Sequence, residues 1–155
     1  MLKFWLPFPS ELKYRKEWLS DEETMAYNRV WGGTVDFCEE HWDSWYCTWV
    51  IDPEGRHFYR YLKNENGTFV GEAAFHREED TDRWMTDVLI PAAYRKKGYG
   101  KEALLMLENA ARENGIDCLY DSIAADNTAA IKLFINEGFC EEYRTEEYVM
   151  MKKML

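Results

Sequence analysis

The chain has 155 residues, of which 46% are hydrophobic, 16% aromatic and 31% charged, with a formal net charge of -10. This composition excludes a disordered tail, and the length predicts one domain over residues 1–155. Acids outnumber bases 29 to 19, which excludes a nucleic-acid footprint and points to a cationic or amine-bearing partner.

The first residues, Met1 to Pro9, carry a single lysine and a short apolar run broken by Pro7 and Pro9, unlike a signal-peptide core. No stretch approaches about 20 uncharged apolar residues, so no membrane partner is expected. Cys38, Cys47, Cys118 and Cys140 form no CxxC pair and have no histidine at zinc-ligand spacing. They read as reduced core thiols of a cytoplasmic protein without a metal.

Residues 1 to about 50 hold six of the seven tryptophans and read as helices and loops. Ser10 is placed to cap a helix running to about Leu19, and Ser20 or Asp21 to cap another through about Tyr27. Gly32-Gly33 interrupts, and Asp36 to Val50 reads as a third helical stretch. Within it Trp42, Trp45 and Trp49 recur at helical spacing, which suits packing.

The period then changes. His57 to Lys63 alternates as a strand, Asn66-Gly67 marks a hairpin turn, and Thr68 to His76 returns. Glu78-Glu79-Asp80 makes a second turn into a strand from Arg83 to Ile90. Tyr99 to Asn114 is the strongest helix, with Ala103, Leu104, Leu107, Ala110 and Ala111 on one stripe. Lys101, Glu102, Glu108 and Arg112 lie opposite, and Asn114-Gly115 stops it. A strand (116–123), a helix capped by Asp126 or Asn127 and closed by Gly138, and a final hairpin (139–143 and 148–153) complete the chain. The fold class is mixed α/β: β-β-β-α-β-α-β-β after helices, with one crossover helix and antiparallel flanks.

Tyr94-Arg95-Lys96-Lys97-Gly98-Tyr99-Gly100 lies between strand and helix. Free backbone N–H groups at a helix N-terminus, glycines and consecutive cations together form a phosphate site. Gly98-Tyr99-Gly100-Lys101-Glu102-Ala103 also fits a dinucleotide fingerprint. Pro91 to Lys97 intervene, however, and no parallel βαβ unit precedes the segment. A P-loop fails as well, because Glu102 stands where Ser or Thr is needed.

Arg95-x-x-Gly98-x-Gly100 resembles the acetyl-CoA pyrophosphate loop of the GNAT superfamily of N-acetyltransferases. Asp126-Asn127, Ala130, Leu133-Phe134 and Gly138-Phe139 are similar to its second motif. The similarity covers about residues 56–155, and Thr24-Met25-Ala26-Tyr27-Asn28 resembles uncharacterised bacterial members.

The resemblance implies a mostly antiparallel sheet flanked by helices, with residues 1–55 on the acceptor side and 56–155 as the cofactor core. It implies acetyl transfer from acetyl-CoA to a primary amine of a small molecule or peptide by direct attack. Val88, Leu89 and Ile90 would hold the pantetheine as a false strand, and one of their N–H groups would polarise the thioester carbonyl. Arg95, Lys96, Lys97, Gly98, Tyr99, Gly100 and Lys101 would hold the pyrophosphate, Asn127 the pantetheine arm, and Phe134 would lie near the thiol. Members are often dimers, so a homodimer is implied.

The catalytic groups stay open. Many members place a tyrosine acid where this chain has Phe134, and ribosomal-protein alanine acetyltransferases place a glutamate where it has Ser122. Asp87, Glu72, His76 and Asp121 are the base candidates, and Tyr120, Tyr143 or Tyr148 would replace the acid only if the fold brings one close. Tyr27 and Trp31 are candidates for an aromatic wall around the acceptor. Phe134 and the missing glutamate also admit an alternative, a CoA-binding sensor or interaction module without turnover.

Overall fold

Strand periodicity and turn chemistry assemble most of the molecule after residue 56. The computed structural model describes residues 1–155. Its strands are β1 (Lys3–Trp5), β2 (His57–Lys63), β3 (Phe69–Arg77), β4 (Trp84–Leu89), β5 (Cys118–Ala124), β6 (Cys140–Arg144) and β7 (Tyr148–Met154), and its helices are α1 (Leu12–Ser20), α2 (Trp42–Tyr46), α3 (Tyr99–Glu113) and α4 (Thr128–Asn136). The strands form one seven-stranded sheet in the order β1-β2-β3-β4-β5-β7-β6. β2, β3 and β4 form the expected antiparallel meander, and β6 and β7 the terminal hairpin.

Helices cover both faces of the sheet. Ala73, Phe75, Leu119 and Ile123 pack with Leu104 and Leu107 of α3 and Phe134 of α4. Tyr59, Tyr61, Ala74 and Leu89 pack on the other face with Leu12, Trp18, Met25 and Phe37. The N-terminal third therefore closes one whole face. No helix is long and apolar enough to cross a membrane.

Several expectations are corrected. The first third is not wholly helices and loops, since Lys3, Phe4 and Trp5 pair with Lys63, Leu62 and Tyr61 as an edge strand. Ser10 caps nothing. The α1 N-terminus has no side-chain cap; the Glu11 carboxylate before it instead accepts from the Phe8 N–H and the Trp5 indole N–H, each at 2.8 Å, and holds the preceding 3-10 turn. Asp21 does cap the following turn, accepting from the Thr24 N–H at 2.9 Å, but that turn is a 3-10 helix over Thr24–Trp31. The cysteines are free but are not core thiols: Cys47 and Cys140 are exposed, and Cys38 and Cys118 half-buried.

Glu108 does not lie on the solvated stripe of α3. It is 2% exposed, and both its oxygens accept from the Lys153 ammonium at 2.8 and 2.9 Å, while Lys153 also donates to the Glu137 carbonyl. Removing Lys153 leaves the buried Glu108 charge only the longer contact to the half-exposed Arg112, at 3.6 Å. Lys153→Met is expected to lower unfolding free energy by about 3 kcal/mol, read by chemical denaturation.

The only parallel pairing in the sheet creates the site. β4 and β5 register at Met85↔Tyr120, and nothing beyond that pair is matched. The strands part after it, leaving β4 past Met85 paired only with β3. At the end of that stretch the Gly71 backbone comes so close that a Cβ there would sit 2.2 Å from the Leu89 carbonyl oxygen, and its φ of +151° is itself disfavoured for other residues.

Candidate active site

Where β4 and β5 part, two cavities meet. The first, about 510 Å3, runs along Val88, Leu89 and Ile90 to the Arg95–Lys101 loop and is closed by Leu104, Ala129, Leu133 and Phe134. The second, about 290 Å3, lies on the N-terminal side among Trp31, His76, Glu78, Asp87, Asp121 and Ser122. Tyr27, Val88, Asn127, Ala130 and Phe134 line both. The result is one channel with a junction.

The loop end suits a phosphate anion. Lys96 and Gly98 hold left-handed φ values of 64° and 83°, and this turns the chain so that α3 begins at Tyr99. The first backbone donor of the helix to find a carbonyl is Glu102, bonded to Gly98. The N–H groups of residues 96 to 101 donate to no protein acceptor, and an unfilled helix N-terminus of this kind carries partial positive charge. Gly100 faces α4, where a Cβ would make only an ordinary contact with Leu133 at 3.5 Å.

The two cation-rich ends of the loop are less free than the sequence suggests. The Arg95 guanidinium donates to the carbonyls of Ile90 at 2.8 Å and Thr24 at 2.7 Å. Thr24 in turn accepts the Ala92 N–H through its hydroxyl at 3.0 Å. Arg95 thus ties the N-terminal segment to the loop. Lys101 pairs with Glu137 at 3.1 Å. Lys96 and Lys97 are exposed and carry no ion pair.

This strand, loop and helix are where the family's resemblance rests, and the comparison is decisive. The family model described as "Acetyltransferase (GNAT) family" matches residues 13–139. The chain belongs to the GNAT family. A Bacillus subtilis (strain 168) protein, the uncharacterized N-acetyltransferase YycN, is 35% identical over 96 residues, 60% of this chain and 59% of that protein. The chain thus spans less than two thirds of the length of this curated relative. Among solved structures, spermidine N-acetyltransferase from Vibrio cholerae in complex with CoA and spermine superposes with a TM-score of 0.82 at 13% identity, covering 99% of this chain and 95% of that one. PaiA N-acetyltransferase from Thermoplasma acidophilum in complex with coenzyme A gives 0.74 at 14% identity, covering 100% and 99%. At such identities the likeness is one of fold, and it is the mixed α/β GNAT fold.

Within this GNAT fold the acidic candidates have different environments. Glu72 is 4% exposed, accepts a hydrogen bond from the Tyr59 hydroxyl, and faces the Arg15 guanidinium at 3.1 Å. Arg15 itself is caged against Phe37 and Trp45, 4.6 and 4.5 Å from their ring centres. A carboxylate so committed is structural, and it lines neither cavity.

Asp87 lies on the same face as Glu72, across from Ala74, and has no hydrogen-bond partner in the protein. Its side chain is solvent-exposed within the cleft, while the protein packed around it still costs the charge part of its hydration. That desolvation, with the Glu72 charge, pushes it up to about 6, against the opposing pull of Arg15.

Asp121 sits on the opposite flank of the split. It accepts from the Thr86 hydroxyl at 2.8 Å, and burial raises it well above the usual carboxylate range, with Thr86 opposing and Asp87 adding. His76 lines the outer end of the acidic cavity, its Nδ1 buried without a partner. Burial and His57 lower its pKa despite Glu78, so it is neutral near pH 7.

The tyrosines considered as acids divide as well. Tyr120 lies under Arg83, 4.4 Å from its ring centre, and Tyr143 and Tyr148 pair with each other at the outer hairpin. None of them lines the junction. Tyr27 does, and burial together with Asp87, Glu72 and Asp121 raises its phenol against the pull of Arg95. Its aromatic character was legible in the sequence, but its place beside three acids was not. Trp31 stands at the mouth, 45% exposed. Asn127 caps α4 by accepting from the Ala130 N–H at 3.3 Å, so its side chain holds the helix end while lining the channel. Glu78 lines the acidic cavity and is a site residue that the sequence did not single out.

Proposed function

We propose that the protein is an acetyl-CoA-dependent N-acetyltransferase acting on a primary amine, with Asp87 as proton acceptor. The observation that carries this reading is the channel: an unfilled helix N-terminus at one end, an acidic cavity at the other, and a shared junction beside Asp87. Residues 56–155 supply the cofactor side and residues 1–55 most of the acceptor wall. The Vibrio cholerae neighbour is in complex with CoA and an amine, spermine, which supports the same pair of ligand classes here.

The groove fits a long thioester with a phosphate-rich end. The backbone N–H groups of residues 96–101 and the side chains of Lys96 and Lys97 bind the pyrophosphate. The free edge of β4 at Val88–Ile90 lies along the pantetheine, and Phe134 walls the thiol end. The bound cosubstrate supplies an activated acetyl group. Positioning that group against the amine removes a large entropic part of the barrier.

An alkyl ammonium near pH 7 must lose a proton to become nucleophilic. Asp87 accepts it, and the C–N bond forms as the C–S bond breaks. Tyr27, kept protonated by burial and its acidic neighbours, donates to the departing sulfur and takes back the second proton that the newly acylated nitrogen sheds, while Asp87 releases the first to solvent. A base near 6 is ionised at neutral pH and still able to take a proton. Asp87 is protonated and inactive below this value, so kcat/KM for the amine is expected to fall as pH drops through about 6. Asp87→Asn is expected to abolish that limb, and steady-state pH profiles of both proteins are the check.

One observation favours the alternative, a CoA-binding module without turnover: Phe134 puts an apolar, 5% exposed side chain where a hydroxyl donor is expected. Tyr27→Phe separates the readings. A large fall in amine-dependent thiol release supports Tyr27 as donor, and absence of release in the parent protein supports the module.

A further inference from the structure

The acidic cavity does not end at Trp31. It continues into a separate chamber of about 290 Å3 bounded by Trp31, Glu78, Arg83, Tyr143 and Tyr148, with Met85 and Ser122 on the shared wall. Nothing in the acetyl transfer described above uses this chamber. Its aromatic surface is open: Trp31 is 45% and Tyr143 42% exposed, and the Trp31 and Tyr148 rings lie 6.4 Å apart at a tilt of 41°. The Tyr143 and Tyr148 hydroxyls are 3.4 Å apart, which keeps the two rings together.

The charges of the chamber are unequal. Arg83 is held in bidentate fashion by Glu142 at 2.9 and 3.2 Å and also stacks on Tyr120, so its charge is balanced locally. Glu78 has no such partner. One of its oxygens accepts from the Thr81 hydroxyl at 2.8 Å, and no Lys or Arg comes within ion-pair distance. Arg77, which directly precedes Glu78, is paired with Asp82, and His76 is held toward the neutral form. An unbalanced carboxylate beside open aromatic faces recognises a cation, by hydrogen bonding and by attraction to the rings.

We propose that this chamber binds a second positive charge at the far end of the acceptor, so that the preferred acceptor is a dicationic amine. The inference rests on the amine-acceptor reading of the adjoining cleft. Its reach follows from the sheet. Asp87 pairs with Ala74, and Glu78 lies four residues further along from Ala74, about 13 Å away at strand rise. The two cationic groups should be separated by about that distance.

The test compares kcat/KM for acetylation of an α,ω-diaminoalkane spanning that distance with a 1-aminoalkane of the same length, in the parent protein and in Glu78→Gln. A preference of about tenfold for the diamine is expected, and Glu78→Gln and Trp31→Ala should each remove most of it. Equal values for the two amines overturn the proposal, as does an equal loss for both in Glu78→Gln. A second measurement stands apart from turnover: calorimetric binding of an α,ω-bis(trimethylammonium)alkane against its mono-cationic counterpart. Tighter binding of the bis-cation that depends on Glu78 supports the chamber even if no amine is acetylated, in which case the acetyltransferase reading fails alone. Equal binding of the two overturns the chamber even if amines are acetylated.

Discussion

Asp87→Asn is expected to lower kcat by about 10²–10⁴, the usual contribution of a positioned general base, while acetyl-CoA affinity changes little. Asparagine keeps the shape and removes the proton-accepting oxygen pair. The carboxylate faces the cleft opposite Ala74, with no protein group bonded to it, so the substitution breaks no structural contact. Glu72→Gln is expected to behave differently. It disturbs the Arg15 ion pair and the Tyr59 hydrogen bond, and a buried Arg15 left without its partner lowers stability as well as activity. Steady-state kinetics combined with thermal denaturation distinguish the two: Asp87→Asn should lose turnover at nearly unchanged melting temperature. A matching fall in melting temperature would remove Asp87 from its proposed role.

Gly98→Glu is expected to weaken acetyl-CoA binding by about 10–100-fold, through one added negative charge at the anion-binding turn. Gly98 has φ +83° and open space around it, with nothing within 4 Å of a Cβ built there. Gly98→Ala therefore meets only the backbone cost of a left-handed alanine, about 1 kcal/mol, and should bind acetyl-CoA far better than Gly98→Glu. Calorimetric titration of both variants makes the comparison. Equal losses would mean that backbone conformation, rather than repulsion between the new charge and the phosphates, controls binding.

The sheet meander, the two long helices and the loop between β4 and α3 were legible because each has a local signature. Asn66-Gly67 announces its hairpin, Tyr99–Glu113 carries a clean apolar stripe, and the glycines around Tyr99 set the turn. Elements fixed by distant partners were not legible. The three residues of β1 are too few to display a period, and their partner strand lies more than fifty residues away. Glu108 looks like any polar position of an amphipathic helix until Lys153, 45 residues on, arrives beside it.

The site follows the same pattern. Arg95 and the glycines of the loop are readable as a motif, but the bond from Arg95 to Thr24 spans 71 residues, so its part in tying the N-terminal segment to the loop was not. Asp87 and Glu72 look alike in sequence, each a single acid in an apolar strand. Arg15 and Tyr59 separate them, and both come from elsewhere in the chain. Glu78 read as part of an acidic turn because the aromatic rings beside it belong to residues 31, 143 and 148.

The most direct measurement is thiol release from acetyl-CoA by the purified protein, with and without an added panel of amines, alongside calorimetric titration of acetyl-CoA. The predicted result is saturable acetyl-CoA binding and thiol release that depends on an amine and is lost in Asp87→Asn. Absence of acetyl-CoA binding, or binding with no amine-dependent release across the panel, would contradict the account.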